Sequence, residues 1–281
     1  MPGPTSGAAT ITESPNPHEI LAVKLLVQAA LDYTLAEPCD IMLQLEAAAL
    51  PDQRIIEARI DIPGTDHFAR IPGHDGIGER IWVRLGGELN LRYHATVEID
   101  RQLPDLAALP AIEPHELPGA TIEYLMPSRY CPSDLFGNFV QAEFAGLAGG
   151  ALVQAIRDWI EANFSYVPGS STSETTALDS YVRREGICRD YAHVLIALVR
   201  AAGMPARIAS VYALGVTPPD FHAVAEVFIG DEWHLVDATG MADSRAMAKI
   251  GVGRDAADVS FLMAYGNAEL IAQSVAVTVI S

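Results

Sequence analysis

Gly186-Ile187-Cys188-Arg189-Asp190-Tyr191-Ala192-His193 opens the clearest helix of the chain and sets a cysteine in its first turn. The apolar stripe that follows runs Ile187, Tyr191, Val194 or Leu195, Leu198 and Ala202, near the 3.6-residue period. Gly203 and Pro205 stop it. A thiol is a weak nucleophile at its free pKa, so a reactive cysteine needs surroundings that favour the thiolate. A helix N-terminus supplies them through unpaired N–H groups and the macrodipole. One of those N–H groups can also face a developing oxyanion. Gly186 lets the chain turn sharply into the helix and leaves the thiol exposed.

Outward from that helix, Ala206–Leu214, His222–Ile229 and Glu232–Ala238 read as strands. A two-residue turn at Gly230-Asp231 pairs Ile229 with Glu232, so Asp237 faces Val224 and His222 faces Thr239. His222 and Asp237 then share a face as diagonal neighbours, roughly 7–8 Å apart at Cα. A slip of one residue would part them. Cys188, His222 and Asp237 therefore come in the order of a nucleophile, its base and the group that orients the base. The bland alternative makes Cys188 a small buried hydrophobe. Its place at the start of the stripe, not the middle, counts against that. A metal site of the same three residues lacks a close ligand pair.

Upstream, Leu147–Phe164 is helical in period, and Ser173–Arg184 gives another helix with Thr172 or Ser173 as cap. Leu103–Pro118 carries four prolines and is the best linker. Before it, Asp40–Ala47, Arg54–Ile62, Ala69–Ile71, Arg80–Leu85 and Asn90–Ile99 look like strands. Pro51-Asp52, Pro63-Gly64, Pro72-Gly73 and Gly86-Gly87 punctuate them as turns. That spacing suggests an antiparallel β domain. Residues 20–35 have helical composition.

The chain has 281 residues, half of them apolar, enough for one large domain or two ordinary ones. With 18 basic and 36 acidic side chains its formal charge is −18. Such a surface repels phosphate backbones and anionic lipid, which argues against nucleic acid and membrane as partners. Three widely spaced cysteines, Cys39, Cys131 and Cys188, form neither a disulfide framework nor a zinc motif. They suit a reducing, cytoplasmic setting, with no metal and no cofactor expected. Met1–Pro17 lacks the basic and apolar regions of a signal peptide and reads as a disordered tail. No apolar run is long enough to span a membrane.

Four segments together resemble the bacterial transglutaminase-like superfamily, whose members are often described as cysteine proteases. They are 186–193, Ala-Leu-Val-Arg-Ala-Ala-Gly-Met-Pro-Ala-Arg at 197–207, His-Ala-Val-Ala-Glu-Val-Phe at 222–228 and Glu-Trp-His-Leu-Val-Asp-Ala-Thr at 232–239. Met126–Tyr130 and Gly253–Val259 are similar to further segments of those proteins. The resemblance implies an α+β fold: a papain-like catalytic core, with Cys188 starting the central helix and His222 and Asp237 on an antiparallel sheet. It also implies an N-terminal antiparallel β domain. Leu31-Asp32-Tyr33 resembles that domain's first strand, so residues 20–35 are expected to be strand despite their composition. Asp75-Gly76-Ile77-Gly78 stands where the family often has an Asp-x-x-Gly-Asn turn, here without the Asn. The family commonly has an aromatic two residues after the histidine; here it is Val224, a change expected to alter the substrate cleft.

The expected division is a tail at 1–18, a β domain at 19–105, a linker at 106–122 and a catalytic domain at 123–281. The expected chemistry is attack on an amide through a thioester, with a peptide, protein or small amide as substrate. Water as acceptor makes a peptidase or amidase; an amine makes a transglutaminase or other acyltransferase. A non-catalytic binding or scaffolding module is the rival from another class. His193 and His234 are set aside, the first as structural or a cleft wall, the second as exposed. Asp190 is expected to cap its helix or bind Arg189 or Arg207, and Cys131 has no base nearby.

Overall fold

The structure, a computed structural model, describes residues 22–280; the expected tail at 1–18 lies outside them. Two 21-residue strands, β1 (Val23–Leu43) and β4 (Glu79–Ile99), run antiparallel along the centre of a six-stranded sheet. β2 (Gln53–Asp61) and β3 (His67–Pro72) follow one another along the outer side of β4. Apolar side chains alternate along both long strands: Leu25, Val27 and Leu31 on β1, and Leu89, Leu91, Tyr93 and Val97 on β4, are buried. Polar partners such as Arg92 and Asp32, 2.7 Å apart, hold the other face.

Gly86-Gly87 is not the turn expected from composition. β4 runs through it, because β1 bulges opposite. Leu35 pairs with Gly87 and Cys39 with Leu85, so three residues of β1 face Gly86 alone. A Cβ at Gly86 would meet Pro38 at 3.0 Å, and Gly87 has φ +80°. Likewise, residues 40–43 are no separate strand but the end of β1.

The stretch 103–118 carries two short 3-10 turns, at Leu106–Ala108 and Pro114–Glu116. After it come α1 (Gly137–Glu143), α2 (Gly149–Asn163) and the two-residue strand β5 (Ser165–Tyr166). Next are α3 (Ala177–Arg183), the equally short β6 (Glu185–Gly186) and α4 (Cys188–Ala201). α2 buries Leu152, Val153, Ile156 and Ile160, a stripe at helical spacing. α3 is shorter than expected and is capped by Thr176, not Thr172 or Ser173. Thr176 Oγ1 accepts the Asp179 N–H and Asp179 Oδ2 accepts the Thr176 N–H, a capping box. α4 is buried on nearly every side from Asp190 to Arg200, as a central helix must be.

α4 packs on a second antiparallel sheet, in the order β10-β7-β8-β9. Its strands are β7 (Ala206–Ala213), β8 (His222–Ile229), β9 (Glu232–Val236) and β10 (Met247–Gly253). The chain then returns to the first sheet. β11 (Leu262–Ala264) and β12 (Ala268–Ile280) both pair with β1 on the side away from β4. Residues 123–281 are thus not one unit, as the linker suggested: the last strands complete the N-terminal sheet, whose inner strand β1 needs a partner on each edge.

The two sheets share apolar contacts. Tyr212, Ala248 and Ile250 pack among the buried residues of β1 and β4, and Tyr212 Oη donates to the Leu45 carbonyl at 2.7 Å. Arg207 donates to Glu226 at 2.8 Å and to Asp75 at 2.6 Å, tying the 74–78 turn to β8. Lys249 also pairs with Glu226. That is the work of the Asp75 turn in this chain. Among the described residues no helix is long and apolar enough to cross a membrane.

Candidate active site

Cys188 is the first residue of α4. Ile187 is the N-cap residue, and its N–H donates to Asp190 Oδ2 at 2.9 Å. Ser171 Oγ donates to the other carboxylate oxygen at 2.9 Å, with Arg189 at 3.3 Å. Asp190 therefore caps the helix and binds Arg189; Arg207 is occupied elsewhere. Gly186 is required at the approach, since a Cβ there would come 2.6 Å from the Cβ of Asp190. This close packing fixes the first turn and leaves Cys188 the least buried of the three cysteines.

The β8–β9 hairpin has the expected register. Ile229 faces Glu232, and the pairing runs on to Ala225 and Val236. Gly230 and Asp231 turn with φ +58° and +71°. Asp237 follows directly, and its Oδ2 lies 3.0 Å from His222 Nε2. The carboxylate is held further. Oδ1 accepts from Thr239 N at 2.8 Å and Thr239 Oγ1 at 2.7 Å, and Oδ2 from Ala242 N at 3.2 Å.

Burial alone would lower the pKa of His222. The hydrogen bond to Asp237, and then the nearness of Cys188, outweigh it and push the imidazole up to about 9. Burial would raise Asp237, but the bonds from His222 and Thr239 hold it below the usual carboxylate range. The arrangement suits an imidazolium between a carboxylate and a sulfur. His222 Nδ1 is buried with no partner of good geometry, and its ring and Cys188 line one cavity of about 450 Å³. Ile208, Val216, Phe221 and Phe261 give that cavity apolar walls. Gln273, from β12, bonds to Asp220 at 2.6 Å on its rim.

The residues set aside are placed as follows. His193 is fully buried, stacks on Tyr130 at 5.2 Å and accepts the Ala256 N–H at 3.1 Å. Burial lowers its pKa to about 3, so it stays neutral and structural. His234 is half-buried, not exposed, opposite Val227, and burial lowers its pKa. Cys131 is fully buried, and burial raises its thiol pKa strongly. Val224 is buried opposite Ala209 and does not itself line the cleft, though its apolar cluster reaches the cleft wall at Val216.

Sequence reasoning missed Thr239, Tyr166 and the cleft residues from 216–221, 261 and 273. Only Thr239 had a signal, since Asp-x-Thr is a turn in which the carboxylate takes the N–H two residues on.

Against known proteins, the model of the transglutaminase-like superfamily matches residues 145–238, the stretch that holds all three residues. A crystal structure of a provisionally named cysteine protease from Cytophaga hutchinsonii is 31% identical, with a TM-score of 0.86, over 93% of this chain and 92% of that one. An uncharacterized protein of Mycobacterium leprae (strain TN) is 29% identical over 118 residues. One of Mycobacterium tuberculosis (strain ATCC 25618 / H37Rv) is 34% identical over 150. Those matches cover 42% and 48% of the mycobacterial proteins, so the chain spans less than half the length of these relatives. With most of its length shared with the Cytophaga structure and its core matched by the family model, this chain belongs to the bacterial transglutaminase-like superfamily.

Proposed function

We propose that the protein is a cysteine-dependent peptidase or amidase that works through a thioester acyl-enzyme. Cys188 is the nucleophile, His222 takes the thiol proton and returns it to the leaving amine, and Asp237 holds the ring. The observation that carries this reading is the 3.0 Å contact between His222 and Asp237 in a cleft that His222 shares with a helix-start cysteine. The resting imidazolium favoured by that pair is the acid the leaving amine needs. The three free thiols support a reducing, cytoplasmic location.

The test is to incubate the protein with unfolded casein and dansylcadaverine together and follow both products. New peptide N-termini that disappear in Cys188→Ala support the reading. Dansyl incorporation without cleavage makes the protein an acyltransferase instead. Neither product, from casein or from a peptide library, leaves a binding module.

A further inference from the structure

The loop between β3 and β4 carries His74 and Asp75, and the 3-10 turn Gly119–Leu125 carries Glu123. Folding brings the three together. His74 Nε2 lies 3.5 Å from Glu123 Oε1 and 3.9 Å from Asp75 Oδ1. One donor atom from each residue lies within 4.8 Å of the other two. His74 Nε2 is buried and has no hydrogen-bond partner among the described residues. An N–H donor prefers its acceptor at about 2.7–3.2 Å. Two ligands of one tetrahedral zinc ion, each about 2.0–2.2 Å from the metal, stand about 3.3–3.6 Å apart. The spacing is thus wide for a hydrogen-bonded ion pair and close to that of a ligand set.

Asp75 is held from behind. Its Oδ2 accepts from Tyr124 Oη at 2.5 Å and from Arg207 Nη1 at 2.6 Å, while Oδ1 is the oxygen nearer His74. Outer bonds of this kind orient the carboxylates that bind metals. Arg207 and Lys249 share Glu226. With Asp75 these make two positive and two negative charges, and Glu123 adds one more negative charge for a cation. Asp75 and Glu123 are exposed, so an ion has a way in and water can complete its shell. None of the three ligands lines the cleft of Cys188.

We propose that His74, Asp75 and Glu123 form a zinc site with water in the fourth position. The imidazole selects zinc over calcium and magnesium, which take oxygen ligands. The ion joins the β3–β4 loop to the segment that leads into α1. Through Asp75, Arg207 and Glu226 it is linked to β8, the strand of His222.

The test uses the full chain carrying Cys188→Ala, so that no cleft thiol competes for metal, and a chromophoric chelator loaded with zinc. At micromolar concentrations the protein should take one equivalent of zinc from the chelator, and zinc should raise its melting temperature. His74→Gln and Glu123→Gln, each in that background, should weaken zinc binding at least about tenfold and abolish the rise. Glu123 lies at the surface, so its variant removes a ligand without touching the core; its zinc-free melting temperature should match the parent's. No uptake by the parent, uptake only at millimolar zinc, or full uptake by either variant would overturn the proposal. No readout depends on the enzymatic reading of Cys188.

Discussion

At the scale of single residues, Asp237 has the narrowest tolerance. Its carboxylate accepts from the Thr239 N–H and hydroxyl, the Ala242 N–H and His222. An amide there must turn an NH₂ group toward one of those donors, and the ring then loses its anion or its tautomer. Asp237→Asn should lower turnover by roughly two to four orders of magnitude. The alkaline limb of its pH–rate profile should also move to lower pH, since the interaction that raises the His222 pKa is gone. Stability carries the same signature. The folded pKa of His222 is raised from 6.5 to about 9. The stabilisation from its charged form is therefore full below about 6.5 and lost as pH rises through about 9. The gap in unfolding free energy between wild type and Asp237→Asn should shrink over that window; a constant gap would show that His222 is not charged in the fold. His222 and Asp237 were legible as a pair because hairpin parity depends only on turn length, and Cys188 because it opens a helix. Ala242 was not, because a backbone N–H donor leaves no side-chain trace.

At the scale of elements, the start of α2 shows how a proline-rich segment is tied down. Gly150 N–H donates to the Leu109 carbonyl at 2.9 Å, and a Cβ at 150 would come 1.6 Å from the Leu106 carbonyl oxygen. Gly149 has φ +58° at the same contact. Gly150→Ala must push the 106–111 turn away, at a cost of about 1–3 kcal/mol. The urea midpoint should fall with little change in slope, and proteases should cut within 103–118 sooner than in wild type. Equal midpoints and cutting rates would mean the turn is not held there. α3 illustrates a cap chosen among equals. Thr172, Ser173, Thr175 and Thr176 are all plausible from type alone, and Asp179, three residues beyond Thr176, selects one. The breaks expected within β1 and β4 failed for a different reason: Pro38 and Gly86-Gly87, each a turn signal alone, lie opposite each other and make a bulge.

At the scale of the whole molecule, the C-terminal strand belongs to the N-terminal sheet. Twelve residues of β1, Lys24–Leu35, pair with β12. A chain ending at residue 261 should leave that edge open and lose Gln273 from the cleft rim. It should aggregate or stay expanded, and residues 1–105 expressed alone should show no cooperative unfolding. A soluble monomer of 1–261 with the wild-type unfolding midpoint would contradict this. The division of the chain at its linker missed that return, because no local signal in 262–280 says which edge it will join.

The amino-acid sequence by itself determined the order of the three candidate residues, the helix start that carries Cys188 and the hairpin that sets His222 against Asp237. Each rests on local chemistry: caps, turn residues and side-chain period act over a few positions. Tertiary structure alone decided which sheet takes the last strand and what lines the cleft. Those are meetings of residues far apart in the chain, selected by the burial of whole apolar faces and not by any neighbouring residue.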